Sequence, residues 1–481
     1  MRIGLTALST VMIATCSFAM ATPAAGQVAC AAPVPSPTQP GYTIADPHCD
    51  FGTTVAFTPL TDDRGREISR VYAGIANGSA YRIEVPKRWN RELVLFAHGF
   101  RGTGTTVWVD DPALRRFHVE QGFAWAASSY QTNGYDVGHG VTDTHALIDL
   151  FGTVTGARSR NVYLTGVSMG GHITAAAIEH HRGDFVGAMP YCGVLGDKEL
   201  FDFFLDANVT AAALTGAAIR FPATLAEGQA YAPEFRQQVL GLLPRLGTGF
   251  NTPDVRLSEL GMAWQASVEQ RSGGTRPGMD SAMAYWSSFG RAPLTDIPFL
   301  FGLYPGLSAG TAGIAPGNVT DNRRTVYQLD GNPALSGAER ALNAAVLRVA
   351  PTASASPDLT GIPAVTGDPR IPVLSLHTIG DLFVPLSMEQ IYAREVAAHH
   401  QSRLFVARAV RGNAHCGFTQ AELRRGFTDL VRWVRTGHRP PGDDILSRHT
   451  VSRPTFGCRF TDGAHPEFVG VPCPPRSVQP R

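Results

Sequence analysis

Between about Tyr81 and Gly196, and again between Ile371 and Gly437, short unbroken apolar runs alternate with segments whose apolar residues recur at helical spacing. Leu93-Val94-Leu95-Phe96-Ala97 is apolar throughout, with charge on one side and His98-Gly99 on the other, as expected of a strand covered on both faces. Phe123 to Ser129, Asn161 to Thr165, Val373 to Leu376 and Leu404 to Val410 read the same way. Thr142 to Phe151, His172 to His181, Met388 to His400 and Gln420 to Val434 carry helical spacing. In the last of these Leu423, Phe427, Leu430, Val431 and Val434 fall on one face. Strands and helices in alternation predict an α/β fold, a mostly parallel twisted sheet with helices on both sides.

The rhythm breaks between about Leu200 and Val365, a stretch rich in Gly, Ala and Pro. Helix-like pieces lie around Thr210, from Pro233 to Leu243 and from Ser336 to Val349. Trp264, Tyr285, Trp286, Phe289, Phe299, Phe301 and Tyr304 supply an aromatic cluster. Because the stretch falls between two sheet strands, it reads as a large inserted cap over the sheet's carboxyl edge; the alternative is a second ordinary domain with its own aromatic core. The chain then divides into a leader (1–21), an N-terminal extension (22–80), two halves of the sheet domain (81–199 and 366–438), the cap (200–365) and a C-terminal extension (439–481).

The 481 residues, 44% of them apolar, suffice for a large core, and a formal net charge of +1 gives no field to gather nucleic acid or anionic lipid. The first residues carry one early Arg, an apolar run and then Ala19-Met20-Ala21, which suits a signal peptidase. The run is too short for a stable membrane anchor, so the mature chain is expected to be secreted or periplasmic without membrane insertion. Removal of the leader takes Cys16 and leaves six of the seven cysteines. An even set in an exported chain favours disulfides, with fifteen pairings open. Cys30–Cys49 and Cys458–Cys473 are short closures that would pin two Pro-rich ends; Cys192 and Cys416 then either pair or stay as buried thiols. There is no repeat, no metal-spaced Cys/His cluster and no phosphate-cradling Gly loop, so neither a metal nor a cofactor is expected.

Gly166-Val167-Ser168-Met169-Gly170 places a serine between the strand-like run Asn161 to Thr165 and a helix opening at about Gly170. That is the setting of a sharp turn that holds a nucleophile out, with glycines where backbone must approach closely. A serine hydroxyl needs a base to take its proton and a third group to orient that base. Downstream, Asp381 follows one strand in IPVLSLHTIGDLFVP, and His415 follows the next in LFVARAVRGNAHCGF. Asp197 is the competing acid and His377 the competing base. His98-Gly99-Phe100-Arg101-Gly102 after an early strand can offer the Phe100 N–H to an oxyanion, and Met169 the second N–H. Tyr130, Trp264 and Trp286 are the candidate substrate contacts.

In this order His98-Gly99, the Gly-x-Ser-x-Gly segment, the Gly380-Asp381-Leu382-Phe383-Val384-Pro385 turn and the late His415 resemble the α/β-hydrolase superfamily, nearest to secreted bacterial serine esterases and prolyl-oligopeptidase-like hydrolases. The resemblance covers roughly Tyr81 to Gly196 and Ile371 to Gly437. It implies an α/β-hydrolase fold and an acyl-enzyme on Ser168. Tannase and feruloyl-esterase-like enzymes bridge the residue before the nucleophile to the one after the histidine; here Cys416 follows His415 but Val167 precedes Ser168. The leading expectation is hydrolysis of a bulky, apolar or aromatic carboxylic ester, small or oligomeric. The alternatives are a prolyl-oligopeptidase-like peptidase or amidase using the same triad, and a hydrolase fold used only for binding.

Overall fold

The structure is a computed structural model that describes residues 30–252, 254–288, 296–308 and 317–474. The expected leader and Phe289 lie outside the described residues. Eight strands form one sheet: β1 (Ser69–Ala76), β2 (Ser79–Pro86), β3 (Glu92–Ala97), β4 (Ala124–Ser128), β5 (Asn161–Val167), β6 (Gly187–Tyr191), β7 (Val373–Thr378) and β8 (Phe405–Val410). Their spatial order is β8-β7-β6-β5-β3-β4-β2-β1. β3 to β8 run parallel, and β2 is antiparallel to both β1 and β4.

The central strands are mostly apolar because each buries both faces. Leu93, Leu95 and Ala97 of β3 enter one core, while Val94 and Phe96 enter the other. β4 repeats the split, with Ala124 and Ala126 against Trp125 and Ala127. Helices α1 (Val137–Thr155) and α2 (Met169–His180) cover the first face. The second is covered by the helix that closes the sheet domain, Gln420–Thr436, through Leu423, Phe427, Leu430 and Val431.

The sheet starts a dozen residues before the expected boundary at Tyr81. β1 pairs with β2 over its whole length, from Ser69↔Pro86 to Ala76↔Ser79. The turn between them is Asn77-Gly78, both with positive φ (50° and 82°), which matches the right-handed twist of the two strands. The preceding segment is tied down by the Cys30–Cys49 disulfide and by buried Arg82, which donates to Pro47 O at 2.7 Å and to Asp50 and Asp111 at 2.8 Å.

Between β6 and β7 the chain inserts the helices α3 (Glu199–Thr215), α4 (Leu225–Leu246), α5 (Glu259–Arg271), α6 (Met279–Trp286) and α7 (Gly337–Ala345). Their apolar residues do not form a separate core. Phe203, Trp264, Phe299 and Leu342 belong to the same cluster as Leu93 and Ile173. The chain returns through α8 (Ser387–Ala398) and α9, the Gln420–Thr436 helix.

One core residue makes a pH-dependent liability. His118 is buried against Phe427, with ring centroids 4.7 Å apart, and neither ring nitrogen has a hydrogen-bond partner. Burial pushes its pKa down to about 3. The unfolded side chain binds a proton below about 6.5, so from there down to about pH 3 the unfolded state holds more protons and this residue's contribution to stability falls as pH falls. His118→Leu should stabilise the fold by about 1–3 kcal/mol at pH 7.5, because two unmet polar atoms leave the core. The margin over the parent should widen by about 1 kcal/mol for each pH unit below about 6.5. Urea unfolding of both proteins at pH 7.5 and pH 5 tests this; an equal margin at both pH values would refute it.

Candidate active site

Ser168 stands at the carboxyl end of β5, immediately before α2, with φ 59° and ψ −121°. That backbone conformation is costly for a residue with a Cβ and persists only where its surroundings hold it. Here Ser168 N–H donates to Tyr191 O at 3.2 Å, and Ser168 O accepts from Gly171 N–H at 2.8 Å and Val194 N–H at 3.2 Å. The turn also depends on bare backbone: a Cβ on Gly166 would lie 2.0 Å from Gly170 O, and one on Gly170 would lie 2.0 Å from Ala97 O.

Asp381 and His415 arrive from the loops after β7 and β8. Asp381 is fully buried; its Oδ1 accepts from Phe383 N–H at 2.8 Å and Val384 N–H at 3.1 Å, and its Oδ2 faces His415 Nδ1 at 2.6 Å. A carboxylate only accepts, so the proton sits on Nδ1 and the lone pair on Nε2 points at Ser168 Oγ, 2.8 Å away. The three side chains chosen from the sequence are thus joined in one relay, with the serine O–H donating to the imidazole.

The loop after β3 lies against the serine: a Cβ on Gly99 would come within 3.0 Å of Ser168 Cβ. The amides of Phe100 and Met169 flank that contact, and Met169 opens α2, whose first-turn N–H groups have no partner within the helix. His98 braces the loop. Its Nδ1 lies 2.7 Å from Gly99 O, its Nε2 3.2 Å from Ser129 O, and its ring stacks on Tyr130 at 3.8 Å. Burial, with the Arg101 guanidinium nearby, pushes His98 well below the usual imidazole range, against the two carbonyls that face its ring nitrogens.

Tyr130 and Trp264 are buried and hydrogen-bonded to backbone carbonyls. Tyr130 is buried and donates its hydroxyl to His98 O at 3.2 Å, so it supports the loop from behind. Trp264 lies inside the insertion, stacked on Phe301 with Nε1 donating to Ala207 O at 2.8 Å. Trp286 is 3% exposed, and its single N–H is engaged by the carbonyls of Gly380 and Asn413. A further aromatic ring, Phe383, approaches His415. Phe383 meets His415 edge-on at 4.8 Å and continues into the insertion through Phe299 at 5.1 Å and Phe204 at 6.1 Å. Its position two residues after Asp381 was the available signal.

The competing residues are engaged elsewhere. Asp197 accepts from the amides of Val365 and Lys198, and burial raises its pKa to about 6. His377 is buried between Glu389 (3.1 Å) and Val384 O (2.7 Å); against the cost of burial, Glu389 raises its pKa, and the ring braces the turn that carries Asp381. Arg276, also buried, donates to Ile379 O at 2.6 Å behind the same turn.

The cysteines join as Cys30–Cys49, Cys192–Cys416 and Cys458–Cys473. Cys192 follows β6 and Cys416 follows His415, so that bridge ties the base's loop to the sheet across 224 residues. Replacing both cysteines with alanine should cost about 2–4 kcal/mol of stability on closure entropy and raise the mobility of His415. Denaturant midpoints and kcat of the double variant measure the two effects; unchanged values for both would deny the tether any role. Among the described residues the donor atoms of His145, His181 and Asp184 also lie within 4.8 Å of one another. They sit at the far end of α2, about 18 Å along the helix from the serine, so a cation there would be remote from the relay.

No protein-family model matches the chain. It is 24% identical to an o-phthalyl amidase of Xanthobacter agilis over 431 residues, covering 80% of this chain and 92% of that protein. Among solved structures it resembles feruloyl esterase B from Aspergillus oryzae (TM-score 0.41, 14% identity, 80% of this chain and 86% of that one). It also resembles an esterase from the same organism (TM-score 0.42, 14% identity, 86% of each chain). The strand order and crossovers are those of the α/β-hydrolase fold.

Proposed function

We propose that this chain is an exported serine hydrolase that splits a carboxylic ester, with an apolar or aromatic acyl group, through an acyl-enzyme on Ser168. The observation that carries the reading is the hydrogen-bonded series Ser168 Oγ, His415 Nε2, His415 Nδ1, Asp381 Oδ2 at the carboxyl edge of the sheet. In the first half-reaction His415 takes the serine proton as Oγ attacks the carbonyl carbon. The developing oxyanion is received by the Phe100 and Met169 amides, and His415 returns the proton to the departing alcohol. A water molecule repeats the sequence to release the acid. Asp381 remains a carboxylate throughout and balances the imidazolium. Phe383, beside the base and continuous with the aromatic side chains of the insertion, supports an aromatic acyl group. Three disulfides suit an oxidising compartment, and among the described residues no helix is long and apolar enough to cross a membrane.

Amide hydrolysis is the second reading. It is favoured by the co-linear relationship to the o-phthalyl amidase, and it needs the same groups, with His415 protonating an amine instead of an alcohol.

Steady-state rates on p-nitrophenyl acetate, p-nitrophenyl benzoate and N-benzoyl-p-nitroaniline separate the readings. An aromatic acyl site should favour the benzoyl ester over the acetyl ester by about tenfold or more in kcat/KM. Preference for acetyl would remove the aromatic assignment, and turnover of the anilide at a rate near that of the ester would move the assignment to an amidase.

A further inference from the structure

The insertion touches the two loops that carry Asp381 and His415. Trp286, the last residue of α6, places its indole Nε1 2.9 Å from Gly380 O and 3.0 Å from Asn413 O. Gly380 immediately precedes Asp381, and Asn413 stands two residues before His415. The two loops run side by side here: Gly380 N–H donates to Gly412 O at 2.9 Å, and a Cβ on Gly380 would lie 2.0 Å from Asn413 Oδ1. A single N–H is therefore shared between the loop that carries the acid and the loop that carries the base. The same segment makes two more contacts of this kind. Arg276, just before α6, donates to Ile379 O at 2.6 Å, and Ser281 within α6 accepts from Asn413 Nδ2 at 3.1 Å. The ring of Trp286 also packs on Phe299 at 4.7 Å and reaches Phe383, whose edge meets His415.

We propose that Trp286 is a positioning residue of the reaction: its N–H fixes the separation of the Asp381 and His415 loops, so that part of the catalytic alignment is supplied by the insertion. The proposal rests on the reading of Ser168, Asp381 and His415 given above. Removing the shared donor leaves two buried carbonyls unpaired and lets the loops part. A carboxylate held less closely to the imidazole supports its protonated form less, and misplacement by a fraction of an ångström is costly to a proton transfer.

The test compares Trp286→Phe with Trp264→Phe. Both exchange a buried indole of the same insertion for phenyl and lose one Nε1–H donor, but the Trp264 donor serves Ala207 O alone, whereas the Trp286 donor is shared by Gly380 O and Asn413 O. Trp286→Phe should lower kcat by about tenfold with KM within about twofold, and move the acid limb of the kcat/KM–pH profile to lower pH. Trp264→Phe should lose a similar amount of thermal stability while keeping kcat and the profile of the parent. Ser281→Ala, a smaller change on the same helix, should move the limb in the same direction with a kcat loss of about threefold, and it serves if Trp286→Phe does not fold. Matching kcat values and pH profiles for the two tryptophan variants, or for Ser281→Ala and the parent, would overturn the positioning role. Turnover that survives Ser168→Ala would overturn the triad and this proposal with it, whereas a silent Ser168→Ala beside an unaffected Trp286→Phe removes the positioning role alone.

Discussion

Ser168→Ala should fold as the parent does and lose about a millionfold in kcat on its best ester, with KM little changed. The fold is spared because, among the described residues, the Oγ bonds to His415 Nε2 alone, in a half-buried position, so its removal strands no donor in the core. Alanine carries the same Cβ as serine and accepts the same φ of 59° at the same cost. Activity is not spared, because among the described residues Ser168 supplies the hydroxyl hydrogen-bonded to the imidazole. His415→Ala should lose nearly as much, and the double variant little more than either single one, since nucleophile and base act as a unit. The residue of catalysis expected to survive, about a thousandfold over water, would measure the contribution of the proposed oxyanion donors, the Phe100 and Met169 amides, together with substrate binding.

Asp381→Asn should be nearly as damaging for a subtler reason, with a kcat loss of about ten-thousandfold. Asp381 Oδ1 accepts two backbone N–H groups, from Phe383 and Val384, so an amide in its place must keep oxygen there and turn its NH2 towards His415. Nδ1 would then have to accept rather than donate, and the imidazole proton would move to Nε2, where it meets the serine oxygen. The base would present a proton to a group whose proton it must remove. Size and shape are unchanged, so the thermal midpoint should stay within a few degrees while kcat collapses. A parent-like kcat would mean that His415 takes its orientation from elsewhere.

The sheet's central strands were legible because both faces are covered and apolar residues dominate them, and the sequence placed β3 to within one residue. The first strand was not read, although Asn77-Gly78 between Ser69–Ala76 and Ser79–Pro86 is a strong hairpin signal; the Pro-rich residues before it drew the whole segment into an extension. At the site, order along the chain sufficed to bring Ser168, Asp381 and His415 to one place, since each follows its own strand. The aromatic residues were harder. Trp264 and Trp286 have the same composition signal as a substrate wall, but tertiary packing gave them backbone carbonyls to bind. Only the folded chain distinguishes a ring with a free face from one whose N–H is already committed. Phe383 carries no signal of its own in the sequence, since it reads as an apolar residue of the turn that follows Asp381, and only the fold brings it against His415 and Phe299.

The measurement closest to the central claim is the intact mass of the protein quenched during the first turnovers of p-nitrophenyl benzoate, followed by peptide mapping. One benzoyl group per chain, on the peptide that contains Ser168 and absent from Ser168→Ala, is the expected result. Release of p-nitrophenol with no adduct under conditions that trap acyl-enzymes, or an adduct on another residue that survives Ser168→Ala, would contradict the account.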